Sequence, residues 1–167
     1  MFNHSHLPNV GLTNGTIPPN IYQVLNQEIV DIHNDDSNIP KMNPSLAGQL
    51  TKEYQITKSR QLLDPFLEEM GRAYQKKWYG FNSSKESDNN DLKVESVWVN
   101  MQKKLEVNPL HNHDGTLSFV AWLYVPFKLE DERNVENCKN SRTVELASTF
   151  QFVYTTALGT IVNCPMF

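Results

Sequence analysis

Apolar positions along the chain change their period near residue 92, and the change separates expected helices from expected strands. In "IPPNIYQVLNQEIVDIHND", Ile21, Val24, Leu25, Ile29 and Ile32 recur at helical spacing, and Pro18 and Pro19 suit a helix start. A clearer second helix is predicted over about residues 58–79, where Leu62, Leu63, Phe66, Leu67, Met70, Tyr74 and Trp78 form one stripe among Lys, Arg and Glu. Pro65 falls near its start, where proline is tolerated. "NDDSNIPKMNPSLAGQLTKEY" reads as a loop punctuated by Pro40, Pro44 and Gly48. Residues 82–91 are a polar loop, and residues 1–17 are an extended arm or an edge strand.

Beyond residue 92 the pattern is that of strands. "VESVWVNMQKKLEV" alternates as a strand or hairpin, and "TLSFVAWLYV" carries the β-branched and aromatic residues of a strong strand. "PFKLEDERNVENCKNSR" is a long charged connection, expected to be mobile over residues 126–143. "ELASTFQFVYTT" is a further strand, Leu158–Gly159 a turn, and "TIVNCPMF" the beginning of one more strand. Helices first and strands after predict an α+β fold with an antiparallel sheet or sandwich.

Composition narrows the function classes. A chain of 167 residues fits a single domain with a modest core. Net charge is −4 without a basic block, which counts against nucleic acid as the main partner. No apolar run approaches a membrane span, and "MFNHSHLPNVGLTNG" lacks the pattern of a signal peptide, so a cytoplasmic location is expected. Cys138 and Cys164 lack the paired spacing of a zinc site and are expected to be reduced.

The strongest chemical signal is "NPLHNHDGTLSFVAWLYVPF", residues 108–127. On an extended segment His111 and His113 would point to one face and could reach one metal ion. Imidazole suits iron, zinc, copper or nickel. Asp114 would offer an oxygen ligand if the chain turns at Gly115. The competing reading is a polar surface loop without metal. His4 and His6 lie in the N-terminal arm and read as solvated, and His33 reads as a cation at a helix C-terminus. Trp122 and Tyr124 alternate with Phe119, Ala121, Leu123 and Val125 along the expected strand, where core packing is the commoner role of an aromatic. Trp98 and Asn100 share a face on the strand before, and a buried Asn100 would orient a site residue or close a turn.

Trp98, Asn100, the "NPLHNHDG" turn and the "LSFVAWLYVP" strand together resemble the prolyl-hydroxylase-like group of 2-oxoglutarate/iron(II)-dependent oxygenases, in particular a branch common in marine bacteriophage genomes. "SLAGQLTKEY" and "LLDPFLEEMGRAY" are similar to the region before the catalytic core of that branch, so the resemblance runs from about Ile17 onward. It implies one domain over residues 1–167, with a helical region (1–91) packed on the front part of an antiparallel double-stranded β-helix, or jelly roll (92–167). It implies Fe(II) and 2-oxoglutarate as cofactors, with ascorbate as supporting reductant. The family's metal set is two histidines and one carboxylate. His111 matches the first position, His113 stands where the carboxylate is expected, and Asp114 follows one residue on. Trp122 matches a cosubstrate-contacting aromatic. The family's distal His and its cosubstrate-binding Arg have no counterpart, since Arg142 lies in the charged connection. The jelly roll is thus expected to be incomplete at its C-terminus. The chain would be a fragment, split product or inactive copy, needing ligands from a completing chain or a homo-oligomer. The expected partners are a small-molecule cosubstrate and an unidentified primary substrate, with no membrane. The alternatives are a cupin-like metal protein, against which Leu117 and Ser118 stand where a Glu is wanted, and a non-catalytic β-sandwich serving structure or interaction.

Overall fold

Fixed φ at Pro18 and Pro19 launches α1, Pro19–Asn34, and the Tyr22 N–H closes its first turn on the Pro18 carbonyl at 2.9 Å. The computed structural model describes residues 11–78, 92–156 and 158–166. The expected solvated pair His4 and His6 and the polar loop at 82–91 lie outside them. Residues 11–119 form one compact unit, and the chain from residue 120 belongs to another.

In the first unit α1 buries Ile21, Leu25, Glu28 and Ile32. This stripe differs from the expected one. Val24 is exposed, and the carboxylate Glu28 takes a place on the buried face. His33 does lie in the last turn of α1. Helix α2 spans Arg60–Trp78 and buries Leu63. Pro65 sits within it, beyond the first turn, and its missing N–H removes one intrahelical hydrogen bond. Ahead of α1, the extended stretch from Gly11 lies along α2. The Gly11 N–H donates to the Tyr74 hydroxyl at 3.3 Å, and a Cβ at Gly11 would collide with the Trp78 indole.

The start of α2 is held by α1. Glu28, 4 % exposed, accepts the backbone N–H groups of Thr57 and Lys58 at 2.8 Å and of Ser59 at 2.7 Å, and the Ser59 hydroxyl at 2.6 Å. Helix N-termini leave N–H groups without intrahelical acceptors, and here a carboxylate from another helix receives those just ahead of the first turn. Burial pushes the Glu28 carboxyl up, but the hydrogen bonds from Ser59, Thr57 and Lys58 outweigh it and hold the group below its usual range. Arg60 then pairs with Asp64 at 2.6 Å and donates to the Val94 carbonyl at 2.6 Å, which ties α2 to the chain entering the next strand.

Strand β1, Glu53–Gln55, begins within the stretch whose sequence reads as loop. It pairs antiparallel with β2, Trp98–Asn100, in the register Glu53 with Asn100 and Gln55 with Trp98. On the other edge of β1, Met42 N–H donates to Glu53 O at 2.8 Å and Gln55 N–H to Pro40 O at 3.0 Å. After β2 the chain turns at Lys103–Glu106, with Leu105 at φ 72°, and returns to bridge Gln49 with Val107. Leu50, Tyr54, Ile56 and Val97 are buried here. The Tyr54 hydroxyl donates to Asp36, and the bond pushes its pKa up to about 12. Asn100 is exposed, so the buried orienting role expected for it does not arise.

The second unit holds a short helix α3, Leu129–Arg133, inside the charged connection. Strand β3, Phe150–Thr155, pairs antiparallel with β4, Ile161–Met166, around a turn in which Gly159 has φ 81°. Both strands and the turn match the sequence pattern. Phe150 and Phe152 meet edge to face at 5.0 Å, and Trp122 meets Phe150 at 5.4 Å.

The fold is therefore α+β, and the described residues form two separate two-stranded antiparallel sheets. No strand forms at residues 116–125, where "TLSFVAWLYV" predicts a strong one. High β-propensity makes a strand only where another strand supplies a hydrogen-bonded ladder, and neither sheet includes this segment.

Glu28→Gln places an amide NH2 against backbone donors, and unfolding by urea at pH 7 should show a loss of about 1.5–3 kcal/mol. Because the folded pKa of Glu28 is depressed, its contribution is present above the ordinary value of 4.5 and is lost as pH falls through the folded value. The difference between wild type and variant should shrink in acid. Equal stability at pH 7 would refute the capping role.

Candidate metal centre

His111 and His113 come together in the first unit without a strand to align them. The His111 ring turns back on its own backbone, with Nδ1 2.6 Å from the Pro109 carbonyl oxygen. A carbonyl only accepts, so Nδ1 carries the proton and Nε2 keeps its lone pair. That nitrogen lies 3.0 Å from Nε2 of His113. Gly115, at φ 91° with open space around it, makes the turn that follows.

Trp98 supports the second ring. Its indole stacks on the His113 imidazole, with centroids 6.0 Å apart and planes inclined by 12°. The β1–β2 pairing thus reaches the histidine turn through one aromatic face. His113 is exposed, yet partial desolvation lowers its pKa from the usual value, the neighbouring His111 lowers it further, and Asp114 acts in the opposite direction. The neutral ring, which can ligate a metal, is favoured as a result.

Two nitrogens each about 2.1 Å from one ion, and at right angles to one another, stand about 3.0 Å apart. The observed 3.0 Å between the Nε2 atoms fits that edge of an octahedral cation site. In the metal-free pair the same distance suits an N–H···N hydrogen bond from His113 to His111.

No third ligand joins the pair among the described residues. Among the described residues no three His, Cys, Asp or Glu side chains lie close enough to hold a metal together, so Asp114 does not join the two rings as a third ligand. Asp114 is exposed on the turn. Trp122, expected at a cosubstrate, belongs to the second unit, where it packs on Phe150. Arg142 is exposed.

A carboxylate that the sequence pattern did not single out lies near Asn108, at the start of the turn. Glu53 of β1 is 0 % exposed. Its Oε2 accepts from the Asn43 amide at 3.0 Å, whereas Oε1 is buried without a hydrogen-bond partner. Burial pushes its carboxyl up, the nearby Glu106 charge adds to this, and His111 pulls it down. No pattern in the sequence marked it: Glu53 and Tyr54 are adjacent and both buried, which strand alternation would not predict.

A scan against family models finds no match for the chain, and neither do searches of curated proteins and solved structures.

The Pro109 contact predicts the Nδ1–H tautomer for His111. Nitrogen-15 NMR of the imidazole at pH 8 should show a protonated Nδ1 and an unprotonated Nε2. The reverse pattern would remove the preformed lone pair.

Proposed function

We propose that the chain is a 2-oxoglutarate/Fe(II) oxygenase-like domain whose histidine turn binds a divalent cation, and that as the unit seen here it binds metal rather than turning over substrate. The observation that carries the reading is the Nε2 pair, 3.0 Å apart with one tautomer fixed by Pro109. The resemblance of the "NPLHNHDG" turn to that family supplies the class. The jelly roll belongs to the same proposal and rests on the resemblance alone; the described residues form two separate two-stranded antiparallel sheets.

The residues divide the work simply. His111 and His113 supply two nitrogen ligands. Trp98 holds the His113 plane and shields one side of it. Fe(II) bound there would supply the oxygen-activating chemistry of the family, with 2-oxoglutarate as co-reductant. The described residues offer no preformed triad, and the resemblance finds no counterpart of the family's cosubstrate-binding Arg. Losing such a charge-assisted bond costs about 1.5–3 kcal/mol, so cosubstrate binding should be at least about tenfold weaker than in a complete site.

Titration with Mn(II) or Co(II) should show one site, abolished in the His111→Ala/His113→Ala double variant with circular dichroism unchanged. Affinity should fall as pH drops, because protons compete for the ring nitrogens. Unchanged affinity in the double variant would end the assignment. Asp114→Ala separates the remaining ligand choices: a large loss makes Asp114 a ligand on loading, and a small one leaves the histidines alone. With Fe(II), ascorbate and oxygen, the chain should release little succinate from 2-oxoglutarate. Brisk release that disappears in His111→Ala would overturn the binding-only part of the proposal.

A further inference from the structure

Glu53 is unexplained by packing. A carboxylate out of contact with water normally has both oxygens bonded, because desolvation of an unpartnered oxygen is costly. Here Oε1 has no partner and the side chain is fully buried. Its position is defined by Gly48: a Cβ built there would fall 2.5 Å from Glu53 Oε1 and 2.9 Å from Asn108 Oδ1. The oxygen therefore lies against bare backbone next to Asn108, the residue that opens the histidine turn. Two further links hold the same region in register. The Gln49 N–H donates to the Val107 carbonyl at 2.8 Å, and Glu53 faces Asn100 in the strand whose Trp98 stacks on His113.

We propose that Glu53 is the buried counter-charge of the histidine turn, its bare Oε1 positioned to favour a divalent cation at His111 and His113. This rests on the metal reading above and deepens it. A pair of neutral imidazoles offers lone pairs and no negative charge, and the exposed Asp114 is screened by water. A buried carboxylate is screened far less, so it supplies compensation that the surface group does not. It acts as a positioning residue, since it lies outside any three-residue metal group as the chain stands. The arrangement has a stability consequence of opposite sign. Without a cation, the ionised Glu53 sits in a site that burial and Glu106 make unfavourable, and so removing its charge should stabilise the apo protein. A group that weakens the fold while strengthening a ligand is the usual mark of function over packing.

The experiment uses the full chain and Co(II) alone, with calorimetric affinity and thermal melting as readouts. Glu53→Gln should lower Co(II) affinity at least tenfold while leaving the apo melting temperature equal or higher. Gly48→Ala keeps the charge but pushes Oε1 from its place, and it should weaken Co(II) binding by several-fold. If Glu53→Gln does not fold, Gly48→Ala decides by the same criterion. Wild-type affinity in both variants would overturn the inference, leaving the histidine site intact and making Glu53 a packing residue bonded by a rotated Asn108 amide. Absence of Co(II) binding by the wild-type chain would overturn both proposals together.

Discussion

The carboxylate of Glu28 is the constraint on which the rest of the first unit hangs. It takes the backbone N–H groups of Thr57, Lys58 and Ser59, and so fixes where α2 begins relative to α1. Arg60 follows at once and reaches the Val94 carbonyl, so the same anchor sets the entry to β2. From β2 the order passes to the histidine turn through the Trp98 face. An apolar residue at position 28 would bury equally well, but it would leave three donors facing a dry surface. Directional acceptors, rather than buried area, determine the arrangement.

A second theme is the use of β1 as a hub despite its length of three residues. It receives hydrogen bonds from Met42 on one side and pairs with β2 on the other. Its central residue, Tyr54, is buried, and its hydroxyl is satisfied by Asp36, which also meets Lys52 at 3.6 Å. Strands this short are marginal alone. Here pairing on both edges compensates, and the irregular segments around 40–42 and 107 become part of one small scaffold.

What was legible in the sequence followed from local period. Pro18–Pro19 and the stripe through Leu25 and Ile32 marked α1, and alternation around Phe150 with Gly159 marked the β3–β4 hairpin. Those signals need no distant partner. β1 was not legible because three residues carry no period and its existence depends on segments 45 residues away along the chain, Tyr54 opposite Val99. The 117–125 segment failed in the other direction, since propensity describes a surface that could pair and not the presence of a mate. At the site, the histidine pair was visible as a pattern, although its geometry comes from a side chain folding back on the Pro109 carbonyl rather than from strand alternation. Glu28 and Glu53 were invisible by type, because a carboxylate in a sequence reads as a surface group until its neighbours are known.

The stretch from 116 to 127 bears on how the protein behaves in concentrated solution. It contains no charged side chain, and Phe119, Val120, Trp122, Tyr124, Val125 and Phe127 are each at least 39 % exposed without belonging to a strand. Sequences of this kind are the ones that recruit strands from other molecules, and Pro126 near its end is the one built-in interruption. An uncharged, largely exposed stretch of this kind is where association between copies would begin, and a charge placed within it is the change that would oppose it.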